Sequence, residues 1–287
     1  MTGRAPRSPY EGFVRAGADG VPLHVVVEGS GPVCVLTAGL AMSWYDWDPV
    51  VPLLAPHRTV VRFDRPGHGL SGPAVAPPTA AGEARRIAAL LDALGADAPV
   101  TVVGHSIAGF HAEAFARLHP ARTAALVLVD SSVEEEPRTL LPSGVRTAAA
   151  RGFGRALTAA GLPAALGPWA RRATVRATRT GGPDPAPRAL TDRCYRTGRV
   201  WQGALLENAR YPDMAAELLT LRTTHPLTAR TTVLAAYDGS ARPWPLTWLT
   251  RQTALADTLT ADFTVAEGAG HLVMLDHPEE VARAVLR

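Results

Sequence analysis

Ser106 stands between Val102-Val103-Gly104-His105 and Ile107-Ala108-Gly109, at the end of an apolar run and just before a helical pattern. A serine hydroxyl is a weak nucleophile at neutral pH. It attacks a carbonyl carbon only when a neighbouring base takes its proton and a carboxylate steadies that base. A strand that turns sharply into a helix presents such a hydroxyl on strained backbone, and the flanking residues must be small enough to let strand and helix approach. Gly104 and Ala108 supply that smallness. The candidate base is His271, which follows the apolar Val265-Ala266 and the turn Gly268-Ala269-Gly270, shortly before the helix start Pro278-Glu279-Glu280. Two carboxylates compete to support it: Asp130, after Leu126-Val127-Leu128-Val129, and Asp238, within Tyr237-Asp238-Gly239-Ser240. An unpaired charge at the end of so apolar a strand as the one before Asp130 would be costly.

These residues need elements to position them, and the hydrophobic pattern predicts strands near 12–16, 22–28, 33–38, 59–63, 99–103, 125–129, 231–236 and 261–265. Helices are expected near 80–94, 107–119, 245–258 and 278–286. Alternation of the two predicts an α/β fold with a mostly parallel eight-stranded sheet and helices on both faces. Asp19-Gly20 separates the first two strands as a hairpin would, so the sheet should begin antiparallel. From about residue 135 to 225 the pattern becomes helix-like and is broken by Gly181-Gly182-Pro183-Asp184-Pro185. The division read from this is a core of residues 1–134 and 226–287 with a helical insertion, 135–225, after the sixth strand.

Val35-Leu36-Thr37-Ala38-Gly39-Leu40 ends one strand in a small-residue turn, and Phe63-Asp64-Arg65-Pro66-Gly67-His68-Gly69-Leu70-Ser71 ends another. With the serine elbow and the turn-borne histidine, the chain resembles the α/β-hydrolase superfamily over nearly all of its length outside the insertion. The resemblance implies a serine hydrolase whose insertion is a cap or lid, and an oxyanion hole made by the backbone N–H groups of Leu40 and Ile107. Many relatives carry His-Gly where this chain has Ala38-Gly39; the backbone donor survives, but the histidine's hold on the loop is lost. The family's commonest acid follows the seventh strand, where Asp238 falls early in the turn. Other relatives place it after the sixth strand, where Asp130 lies, so Asp130 is the preferred acid and Asp238 the second choice. Epoxide hydrolases and dehalogenases of this fold carry aspartate where Ser106 stands.

Other residues invite plainer readings. Asp64 and His68 sit in a turn that the family uses structurally, and His105 packs beside the elbow. His111 and His119 lie eight apart without an H-E-x-x-H pattern, and no phosphate loop is present, so neither metal nor nucleotide cofactor is expected. Trp44, Tyr45 and Trp47 either wall a pocket or pack as core.

The chain's 287 residues, 47% hydrophobic, can build a large core without staples. Cys34 and Cys194 are not expected to pair. The first twenty residues lack an apolar leader and no run is long enough to span a bilayer, so a cytoplasmic, membrane-free protein is expected. All 29 basic residues are arginine, which excludes lysine-nucleophile and Schiff-base chemistry. Fourteen arginines and only five acids fall between residues 138 and 222. This surplus either steers an anionic or carrier-bound acyl substrate toward a cationic cap or is consumed in local pairs. No nucleic-acid-binding module is present, and nothing in the sequence speaks to oligomeric state. Three function classes follow: hydrolysis of an ester, thioester or related acyl bond; non-hydrolytic acyl transfer, lyase or cyclase chemistry; and silent ligand binding.

Overall fold

In the computed structural model, which describes residues 9–287, the chain opens with the hairpin expected at Asp19-Gly20. β1 (Tyr10–Arg15) and β2 (Pro22–Gly29) pair antiparallel. β3 (Val33–Thr37), the one-turn α1 (Val51–Leu54), β4 (Thr59–Phe63), α2 (Ala80–Ala93), β5 (Val100–His105), α3 (Ala108–Leu118) and β6 (Thr123–Val129) follow. Four helices then intervene: α4 (Ser143–Ala159), α5 (Leu162–Thr178), α6 (Arg188–Tyr195) and α7 (Gly198–Thr224). The chain returns to the sheet with β7 (Arg230–Tyr237), α8 (Pro243–Leu259), β8 (Asp262–Glu267), the short α9 (Val273–Asp276) and α10 (Pro278–Leu286). The expectation of no apolar leader falls partly on residues 1–8, which lie outside the described residues. Among the described residues no helix is long and apolar enough to cross a membrane.

The eight strands form one sheet in the order β1-β2-β4-β3-β5-β6-β7-β8. β2 pairs antiparallel with β1 and β4, and every other neighbouring pair is parallel. Central strands read as continuous apolar runs because both faces are covered. Val102, Leu126 and Leu128 point to one face, where α2, α3 and α8 pack through Ile87, Leu91, Phe115 and Leu255. Val103, Val127 and Val129 point to the other, against α1, α9 and α10. Each such fully buried side chain contributes roughly 1.5–3 kcal/mol.

Edges are where the sequence pattern drifts. β1 starts two residues ahead of its predicted position, and β8 extends two residues past it. Both are edge strands with partly exposed side chains, so burial imposes a weaker pattern on them. α2 is better marked: the Thr79 hydroxyl accepts from the Gly82 amide at its start, and Gly95, at φ +68°, turns the chain at its end. The inserted helices are not sealed off from the core. Met214, Leu218 and Leu221 on the second half of α7 share the core that α2 and α3 build, while its first half runs past Ser106.

Candidate active site

β5 delivers Ser106 onto a turn with φ +54°, a conformation costing a non-glycine residue about 1–3 kcal/mol. Three backbone bonds hold it: the Ser106 N–H donates to Val129 O, and its carbonyl accepts from the Gly109 and Ser132 amides. A Cβ at Gly104 would come within 2.5 Å of the Ala108 carbonyl, and one at Gly109 would overlap the Ser131 side chain. The elbow therefore needs small residues on both sides of the serine. Among the described residues four non-glycines have positive φ: Ala41, Ser106, Asp130 and Thr260. Thr260 ends α8, and the other three converge on one place.

That place is built from three loops. The His271 Nε2 lies 3.0 Å from Ser106 Oγ and its Nδ1 lies 2.5 Å from Asp130 Oδ2. Asp130 follows β6, is 1% exposed, and its Oδ1 accepts from the Ala236 amide at 2.9 Å and from Trp248 Nε1 at 2.8 Å. A buried carboxylate is thus fully partnered, with one oxygen left for the histidine. Asp238 is elsewhere: it accepts from the Ser240 amide at 2.9 Å and the Arg242 guanidinium at 2.5 Å, and these groups hold its carboxyl below the ordinary range. His105 packs beside the elbow, donating through Nε2 to the His271 carbonyl at 2.9 Å. Burial, then the charge of His271, hold the His105 imidazole well below its usual range, so it stays neutral.

Leu40 borders the same cavity as Ser106, and among the described residues its amide has no acceptor. The Ile107 amide lies at the first turn of α3, where backbone donors lack intrahelical partners and the helix dipole favours negative charge. The loop carrying Leu40 is held by Arg65, whose guanidinium donates to the Ala38 carbonyl and, at 3.0 Å, to the Gly39 carbonyl. Here an arginine from the neighbouring strand's turn takes over the orienting task left open by Ala38. Arg65 is itself paired with Glu207 of α7 through two bonds of 2.8 Å, and His68 lies 3.3 Å from the same carboxylate.

Burial alone would push the Glu207 carboxyl up, but Arg65 and His68 more than offset it and hold the group well below its ordinary value of 4.5. A carboxyl depressed in this way stabilises the fold above the unfolded-state value, and that contribution is lost as pH falls through the folded one. Glu207→Gln is expected to cost about 3–5 kcal/mol at neutral pH, because Arg65 is left buried and unpaired. The deficit relative to wild type should shrink below pH 4.5, as denaturant titrations at neutral and acid pH would show.

A cavity of about 600 Å³ opens over Ser106, walled by Leu40, Met42, Val175, Val200, Leu205 and Leu272 among others. Most of this wall comes from the inserted helices. Trp44, Tyr45 and Trp47 do not line it; they are 6%, 3% and 0% exposed and pack as core. Among the described residues no three His, Cys, Asp or Glu side chains are placed to hold a metal ion. His111 is buried against Met214, and burial pulls its pKa down to about 3. Cys34 and Cys194 are both buried, free thiols.

Sequence comparison agrees with this architecture: residues 34–284 match the model of the alpha/beta hydrolase family. The chain belongs to that family. A 121-residue stretch is 41% identical to the lipase LipV of Mycobacterium tuberculosis, covering 39% of this chain and 43% of that protein. Another, of 112 residues, is 37% identical to 2-hydroxy-6-oxononadienedioate/2-hydroxy-6-oxononatrienedioate hydrolase 1 of Dechloromonas aromatica, covering 38% and 36% of the two chains. The chain thus spans about two fifths of the length of the curated relatives it matches. Among solved structures, Cfl2 from Burkholderia cenocepacia superposes with a TM-score of 0.72 at 23% identity, over 98% of both chains. That likeness is one of fold.

Within this α/β hydrolase several of the insertion's arginines are held in ion pairs. Arg171 meets Asp46 and Asp184, Arg146 meets Asp213, Arg179 meets Asp276, and Arg222 meets Glu113. Among the described residues Arg171 is the arginine that lines the cavity over Ser106, and two carboxylates pair with it there. Three supporting residues escaped the sequence reading: Arg65, Trp248 and Asp276. Asp276 accepts from the Gly270, Thr180 and Gly181 amides and from Arg179, tying the His271 loop to the end of α5. Their partners are remote in sequence or lie in irregular loops, so no spacing marks them.

Proposed function

We propose that this chain is a serine hydrolase cleaving an ester, thioester or related acyl bond of a small, uncharged substrate, with Ser106, His271 and Asp130 as its triad. The carrying observation is the in-line array in which His271 bridges Ser106 Oγ at 3.0 Å and Asp130 Oδ2 at 2.5 Å beneath an apolar cavity. In this reading His271 Nε2 takes the Ser106 proton as Oγ bonds to the acyl carbon. The Leu40 and Ile107 amides meet the oxyanion, and Asp130 stabilises the imidazolium. Collapse expels the alcohol or thiol, which receives the proton from His271. Water, deprotonated by the same histidine, then releases the acid and restores Ser106. The helices α4–α7 serve as the cap that shapes the acyl pocket and keeps water from the substrate's apolar end.

An apolar wall and a neutralised Arg171 favour an uncharged acyl chain over an anionic one. Across a series of 4-nitrophenyl esters and matching thioesters, kcat/KM should rise roughly fourfold per added methylene until the cavity is full. A terminal carboxylate on the acyl chain should lower it. A preference for the carboxylate-bearing acyl group that fades with added salt would instead support electrostatic capture of an anionic substrate. Turnover of none of these compounds would count against hydrolysis.

A further inference from the structure

A second cavity, of about 670 Å³, lies on the far side of His271 from Ser106. Of its lining residues only Thr178 and His271 also border the cavity over the serine. Its floor is aromatic: Trp244 and Trp248 lie parallel, with ring centroids 5.8 Å apart and 5° between their planes. Trp248 is fixed by its Nε1 bond to Asp130 Oδ1 at 2.8 Å. Trp244 is set between Pro243 and Pro245 at the start of α8, where each proline ring locks its backbone, yet it is 69% exposed. Its indole thus lines the cavity with most of its surface open.

Charges at the cavity's rim are already spent. Arg242 pairs with Asp238 and Arg179 with Asp276, and the Thr180 hydroxyl donates to the Gly268 carbonyl. Ala177, Ala236 and Ala269 leave room above the rings without offering a hydrogen-bonding side chain. The size is that of a small-molecule site, and the chemistry suits a flat, neutral partner whose ring stacks on an electron-rich face.

We propose that this cavity is a second binding site, separate from the serine pocket, which takes a neutral planar aromatic ring stacked on Trp244. The ring is either a free molecule or the remote end of a long substrate that reaches past His271. Indole, titrated by calorimetry, is the probe. It should bind wild type saturably, and Trp244→Ala should weaken binding at least about tenfold, with Trp244→Phe restoring most of it. Trp244 is exposed, so thermal unfolding should verify that both variants fold. Ala204→Phe, which puts a phenyl ring into the cavity over Ser106, should leave the affinity for indole unchanged. If Ala204→Phe spares indole binding and indole does not compete with the ester substrate, the site serves a free molecule; competition marks the substrate's own far end. Loss of binding in Ala204→Phe, an unchanged affinity in Trp244→Ala, or no saturable binding to wild type would overturn the proposal.

Discussion

Ser106→Ala is expected to lower kcat for ester hydrolysis by at least about 10³-fold while shifting the melting temperature by no more than a few degrees. The two halves of this expectation have different causes. Oγ makes its one side-chain bond to His271, so its removal leaves no other buried group unpaired. Alanine carries the same Cβ as serine at φ +54°, so the backbone strain is unchanged. What disappears is the atom that bonds to the acyl carbon. Steady-state kinetics on an activated ester, alongside a thermal melt, would check both halves. Turnover retained in a folded variant would remove the serine from the chemistry.

Asp130→Asn is expected to cost up to about 10⁴-fold in kcat, the scale known for triads whose carboxylate becomes an amide. The surroundings of this carboxyl say why. Oδ1 already accepts from both the Ala236 amide and Trp248 Nε1, so the asparagine oxygen must stay there and its NH₂ must face His271 Nδ1. Nδ1 then becomes an acceptor, the imidazole proton moves to Nε2, and Nε2 can no longer take the serine's proton. Asp238→Asn, whose partners are Ser240 and Arg242, should change kcat by less than about threefold. The reverse ranking would move the acid to the turn after β7.

The parts of the site that the sequence announces are local ones. A buried strand, a small-residue turn and a helix around Ser106 are contiguous, and each constrains the others. Asp130 directly follows an apolar strand and His271 a glycine-rich turn, where a polar residue stands out. Only the register of β6 and β7, which places the Ala236 amide on Asp130, shows how that carboxylate is held. Arg65, by contrast, reads as one more residue of a turn, because Glu207 lies 142 positions away on an inserted helix. Charge counting over the insertion is incomplete for a related reason. Asp46, Glu113 and Asp276, which pair with Arg171, Arg222 and Arg179, all lie outside it, so a tally over residues 138–222 registers the cations without their partners. The aromatic run at Trp44 was open to either reading because core and pocket walls favour the same residue types. Its burial against β2, β3 and β4 is a property of the packed structure alone.

The most direct measurement is the stoichiometry and position of labelling by a small fluorophosphonate, read by intact mass and peptide sequencing. A serine activated as proposed becomes phosphonylated once per chain, on Ser106, with loss of esterase activity in step. His271→Ala should slow that reaction by orders of magnitude, since it removes the base 3.0 Å from Oγ. Labelling at another residue, or none at Ser106 in the folded wild-type protein, would contradict the assignment.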